Sequence, residues 1–204
     1  MNALEKYILS TTEESPAFQA ARADAEEYGL PAPDPIQGAL LATLAVGADQ
    51  AIAVAPAGLV GMYILQGLGQ GQLTCIDPEA EHQRAAKKAF AQAGFTGRYR
   101  FLPSRPLEVM GRLSPESYQL VYGEVHPLDL GAFIEAAWPL ITTGGRLVIA
   151  NSLLDGTVGD PERTDRETEA ARHADAAVLE RDDAVVARLP LGSGLTVLTK
   201  QEAR

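Results

Sequence analysis

The stretch AIAVAPAGLVGMYILQGLGQGQLTCID, residues 51–77, decides the fold. Ala51 to Ala55 is a short apolar run suited to a strand covered on both faces, and Gln72 to Ile76 reads as a second strand. Between them Leu59 to Leu68 suits a helix, entered through the small-residue loop Ala55-Pro56-Ala57-Gly58. Strand, helix and strand in this order predict a right-handed crossover, and therefore parallel pairing.

The alternation continues downstream. Glu79 to Gln92 suits a helix, Tyr99 to Leu102 a strand, Pro106 to Leu113 a short helix and Tyr118 to Tyr122 a strand. Leu128 to Leu140 then reads as a helix, Arg146 to Ala150 as a strand and Arg163 to Leu179 as a long polar helix. The rhythm breaks at the end, where Ala184 to Arg188 and Leu195 to Thr199 are joined only by Leu189 to Gly194. That is too short for a parallel crossover, so these two form an antiparallel hairpin at the sheet edge. Upstream, Ser15-Pro16 opens a helix that runs to Tyr28 and stops at Gly29; Pro31, Pro33 and Pro35 enforce an extended connection, and Gln37 to Val46 is a buried helix. The expectation is one α/β domain over residues 1–204, with N-terminal helices over 1–48 and the core over 49–204.

Composition narrows the partners. A formal charge of -10 and a pI of about 4.8 leave the surface as a whole without a footprint for nucleic acid. The start lacks a basic segment followed by an apolar one, and no run has the length of a membrane span, so a cytoplasmic location is expected. The single cysteine, Cys75, sits in the apolar run of the second strand and reads as a packed thiol. His82, His126 and His173 are scattered and give no zinc signature, and no nucleophile-elbow motif surrounds Ser152.

Four places offer chemistry, each just beyond a strand. The loop Ala55 to Gly61 lets a ligand approach backbone at a helix start, or is an ordinary tight turn. Asp77 lies 19 residues past Gly58, where an acid accepts bonds from ribose hydroxyls; before Pro78 it also suits the cap of the next helix. Glu124 and His126 follow the strand ending at Tyr122 and could accept a hydrogen bond or a proton, although His126 equally suits a solvated loop capping the next helix. Asn151 has an oxygen for a hard cation, in a thin ligand set.

Taken in order, Leu73 to Glu79, Tyr118 to Tyr122, Trp138 to Gly145, Leu153 to Gly156 and Leu189 to Thr196 resemble the S-adenosylmethionine-dependent O-methyltransferases of the catechol and caffeoyl-coenzyme A type, in a divergent, actinobacterial-like branch. The resemblance spans nearly the whole chain. It implies a Rossmann-like class I methyltransferase fold: a mostly parallel seven-stranded sheet, helices on both faces, and N-terminal helices closing the site through Gln37 and Gly38. It also implies that Ala55, Pro56, Ala57, Gly58 and Val60 bind the cofactor, Gly58 and Val60 where the loop wraps the methionine moiety, and that Asp77, followed by Pro78, holds the ribose. By the same resemblance Ser104 and Arg105 would flank the adenine, Glu124 would face the sulfonium side, and a homodimer is expected, with Leu4, Tyr7, Ile8 and Phe18 as interface candidates.

The departures matter. The family's first-strand acid and glycines are replaced by Ile52, Ala53 and a proline-containing turn, and its metal ligands correspond to Glu124 and Ala150-Asn151, so one of three is missing. The lysine that usually follows gives way to Pro127, which leaves His126 as a base. The resulting expectation is O-methylation of a small hydroxylated molecule with metal dependence reduced or lost, and no metal ligand is assigned. The alternatives are a catalytically silent protein that binds an adenosine ligand or a partner and, third, a dinucleotide dehydrogenase.

Overall fold

A computed structural model describes residues 3–56 and 58–202. The elements in order are α1 Ala3–Thr11, α2 Pro16–Glu27, α3 Pro35–Ala45, β1 Gln50–Val54, α4 Gly58–Leu68, β2 Gln72–Ile76, α5 Ala80–Gln92 and β3 Tyr99–Leu102. They continue with α6 Pro106–Val109, β4 Tyr118–Gly123, α7 Leu130–Ala137, β5 Ile141–Ile149, α8 Arg166–Leu179, β6 Ala184–Leu189 and β7 Leu195–Lys200. The strands form one seven-stranded sheet in the order β3-β2-β1-β4-β5-β7-β6. β1 to β5 pair in parallel, and β7 runs antiparallel to both β5 and β6.

Period-two alternation divides the core between the two faces. Ala51 and Ala53 of β1, with Leu73 and Cys75 of β2, face α2 to α5, whereas Ile52, Val54 and Ile76 face α7 and α8. The small side chains on the first face let α4 lie close, and Gly61 extends that closeness: a Cβ there would meet the Phe90 ring of α5 at 2.4 Å. Burial pushes the Cys75 thiol far up, with the Asp77 charge adding to the effect, so it stays protonated as a packing group.

The N-terminal helices are bolted to α4 by a polar cluster. Arg22 of α2 donates to both oxygens of Glu14, at 2.7 and 3.0 Å, and to the Pro33 carbonyl at 2.8 Å, while the Tyr63 hydroxyl donates to Glu14. The Tyr63 ring lies against Gly38 of α3, where a Cβ would approach it to 2.1 Å. Phe18 packs on the same ring at 4.8 Å between centroids and is buried, so it belongs to this core and is not available to an interface; Leu4 and Tyr7 of α1 remain exposed.

Several boundaries differ from expectation for local reasons. The helix expected over Leu128–Leu140 is three pieces, with 3₁₀ turns at Pro127–Asp129 and Trp138–Leu140 on either side of α7. Pro139 has no N–H with which to continue the ladder. β5 starts at Ile141, five residues early, and absorbs Gly144 at φ 79 through a register shift opposite Tyr118–Leu120. The helix beginning at Pro106 is α-helical only to Val109 and closes as a 3₁₀ turn, Met110–Arg112. α8 starts at Arg166 because Asp165 caps it, accepting the Thr168 N–H at 3.0 Å.

Candidate active site

Sheet register builds the site. Val54, Ile76, Gly123 and Ile149 lie level at the ends of β1, β2, β4 and β5. Their successors Ala55, Asp77, Glu124 and Ala150 therefore form a row along one edge. The order also reverses here: the chain moves outward one way from β1 and the other way from β4, which opens the crevice that α/β sheets use for ligands. A cleft of about 230 Å³ occupies it, lined by Val54, Ala55, Pro56, Asp77, Pro78, His82, Glu124, Val125, His126 and Asp129, among others.

Asp77 is buried, 4% exposed, with its carboxylate at the cleft wall. Oδ1 accepts the Glu79 N–H at 2.8 Å and Oδ2 lies 2.7 Å from His82 Nδ1, so the capping and cleft-facing readings of this residue hold together. Glu124 extends the sheet by donating its N–H to the Val54 carbonyl at 2.9 Å. Its side chain is held by Asn151 Nδ2, 3.0 Å from Oε1, and by the Tyr122 hydroxyl. Burial nevertheless dominates and raises its proton affinity above that of an ordinary carboxyl group.

His126 stands exposed at the rim, where Nδ1 accepts the Leu128 N–H at 3.3 Å and Nε2 is 3.5 Å from Glu167 of α8. It therefore caps a 3₁₀ turn and lines the cleft at once. Of the loop residues, Ala55 is buried, Gly58 opens α4 with free space around its Cα, and Val60 faces the core, leaving only its backbone for a ligand. Ala57 lies outside the described residues. Ser104 sits beside α6 with Oγ 3.5 Å from Glu108, and Arg105 precedes α6; the adjoining Pro106 is the residue that reaches the cleft.

Nothing in the residues around Asn151 signals how tightly it is committed. At φ 54 it turns the chain back after β5, donates to Glu124, and accepts the Ser193 N–H at 3.2 Å from the β6–β7 turn. That turn is locked further by the Ser152 N–H on the Gly194 carbonyl at 3.0 Å and by Ser193 Oγ on Asp155 at 3.0 Å. Gln37 completes the contact: a Cβ on Gly192 would meet its Nε2 at 2.6 Å and Asn151 Oδ1 at 3.1 Å. With both polar atoms of Asn151 engaged inside the protein and Ala150 contributing a methyl group, the donor set at this end does not fit a divalent cation. Among the described residues no group of three or more His, Cys, Asp or Glu is placed to hold a metal ion.

A family model described as O-methyltransferase matches residues 52–201. The chain belongs to the O-methyltransferase family. A Mycolicibacterium vanbaalenii protein provisionally classed as an O-methyltransferase is 38% identical over 198 residues, covering 95% of this chain and 88% of the relative. A Corynebacterium glutamicum protein of known crystal structure is 56% identical, with a TM-score of 0.95, covering 98% of this chain and 97% of that one. The O-methyltransferase TomG of Streptomyces achromogenes, solved with S-adenosylmethionine, shares the fold at a TM-score of 0.87 and 22% identity, covering 98% and 96%. Within this O-methyltransferase fold the sheet order places Asp77 and Glu124 on either side of Ala55.

Proposed function

We propose that this chain transfers a methyl group from S-adenosylmethionine to the hydroxyl of a small molecule, without a metal ion. The observation that carries the reading is the donor set of the cleft: carboxylates at Asp77, Glu124 and Asp129, and no lysine or arginine among its described lining residues. Such a set complements ribose hydroxyls and a sulfonium cation, and it offers nothing to the pyrophosphate of a dinucleotide. It equally disfavours a polyanionic acceptor such as a coenzyme A ester, so the acceptor is neutral or cationic.

When bound, the cofactor supplies an electrophilic methyl group on sulfur. Asp77 would accept hydrogen bonds from the ribose hydroxyls, and the backbone at Ala55, Pro56 and Gly58 would border the amino-acid end. Glu124 would take the proton of the acceptor hydroxyl as the acceptor oxygen bonds to the methyl carbon and the carbon–sulfur bond breaks, its electron pair leaving with the neutral thioether, and the raised proton affinity conferred by burial suits Glu124 to that task. His126, at the rim, passes the proton to solvent. The remainder of the rate comes from holding the reactants in line and excluding water.

Glu124 can accept a proton only when ionised. Since its pKa is raised, kcat/KM is expected to climb with pH across the weakly acidic range, and Glu124→Gln is expected to lose this limb with about a hundredfold in turnover. His126→Ala should lose several-fold. The test is methyl transfer to a panel of neutral and cationic phenols and catechols, alongside calorimetric titration with S-adenosylhomocysteine in magnesium and in chelator. Stimulation by magnesium would sink the metal-free assignment. Saturable binding with no turnover across the panel would favour a non-catalytic binder.

A further inference from the structure

We propose that His82 is the positioning residue for Asp77, fixing the direction in which that carboxylate meets the cofactor; the proposal rests on Asp77 being the cofactor's acid. Asp77 is surrounded by the first turns of α5. Oδ1 accepts from the Glu79 N–H at 2.8 Å, Oδ2 is 2.7 Å from His82 Nδ1, and the Asp77 carbonyl accepts from Gln83 Nε2 at 3.0 Å. Each carboxylate oxygen thus has one internal donor and keeps a further lone pair, and the side chain, 5% exposed, can offer those lone pairs only towards the cleft.

The backbone donor alone would not fix this arrangement. A carboxylate held at one oxygen can swing about its terminal torsion, which is broad and shallow. The bond from His82 to the second oxygen removes that freedom before any ligand arrives, as the outer partners of ligating side chains do elsewhere. It also sets the tautomer. Nδ1 carries the proton shared with Asp77, and Nε2 is the ring nitrogen left to the solvent side, where the imidazole is 25% exposed.

The ring has a second neighbour surface. It lines the cleft and also the groove between α2 and α5, bordered by Asp24, Tyr28, Arg84 and Lys88. The charged groups there are occupied with one another, Lys88 with Asp24 at 2.9 Å and Arg84 with Glu81, and His82 is paired with Asp77. The imidazole is therefore a wall between two hollows, braced on one side by a buried acid.

Calorimetric titration with S-adenosylhomocysteine tests the assignment on four proteins: the parent, His82→Leu, His82→Asn and Asp77→Ala. Asparagine places its amide N–H close to the position of Nδ1, so His82→Asn should bind within a few-fold of the parent. His82→Leu should bind roughly tenfold more weakly while unfolding at a similar temperature. An analogue lacking both ribose hydroxyls should bind the parent and His82→Leu equally, because the oriented carboxylate then has nothing to grip. If His82→Leu binds as the parent does, or His82→Asn fails as badly as His82→Leu, the role of His82 falls while Asp77 stands. If Asp77→Ala itself binds normally, the assignment of Asp77 falls and that of His82 with it.

Discussion

Asp77→Ala is expected to weaken S-adenosylhomocysteine binding by on the order of a hundredfold or more. Two ribose hydroxyls donating to a charged, nearly buried acceptor are each worth about 1.5–3 kcal/mol, and their sum converts to at least that factor. Folding suffers less. The variant loses the cap on the Glu79 N–H and the partner of His82, a cost of about 1–2 kcal/mol. Asp77→Asn separates the contributions, since an amide keeps an oxygen for Glu79 but presents an N–H where His82 also donates. Calorimetry reads the affinity and urea unfolding the stability; unchanged affinity in the alanine variant would move the cofactor away from β2.

Asn151→Ala is expected to lower stability by about 3 kcal/mol and to cut turnover by at least tenfold. Two hydrogen bonds disappear, one to the half-buried Glu124 carboxyl and one to Ser193, together worth about 2 kcal/mol. A left-handed backbone at φ 54 adds about 1 kcal/mol for alanine, which lacks the tolerance of asparagine. Asn151→Gly isolates that last part and should recover about 1 kcal/mol, seen as a higher urea midpoint at constant slope. Turnover should not recover, because Glu124 has still lost its brace. Equal stability of the two variants would remove backbone strain from the account.

The sheet was legible because its punctuation is local. β2 and β3 run from Gln72 to Ile76 and from Tyr99 to Leu102 as read from the residues, the first closed by Gly71 and Asp77 and the second by Arg98 and Pro103. The start of β5 was not, because Gly144 and Gly145 look like a break and are instead carried through a register shift in which five steps of β5, Ile141 to Arg146, oppose the two from Tyr118 to Leu120 on β4. Likewise the carboxylates that line the cleft could be named in advance, since a strand's last apolar residue locates the first polar one beyond it. Their supports could not. Asn151 meets Ser193 across 42 residues of chain, and nothing near either residue announces the other. His82 left a faint trace: Asp77-Pro78-Glu79 opens a helix whose first turn must return a side chain to the aspartate, and His82 lies on that turn.

The burial of Cys75 has a kinetic consequence. A protonated thiol with no exposed surface, two residues before Asp77 on β2, reacts only while that strand is transiently released. The speed at which a small disulfide reagent modifies the native protein is therefore a clock for release of the strand that leads into Asp77, the acid proposed for the cofactor. If Asp77 holds the cofactor as proposed, that ligand must depart before the clock can tick. Occupancy at about nine times the dissociation constant should slow modification about tenfold. The protein thus carries its own binding reporter, and modification that ignores saturating ligand would show that β2 is released without disturbing the site.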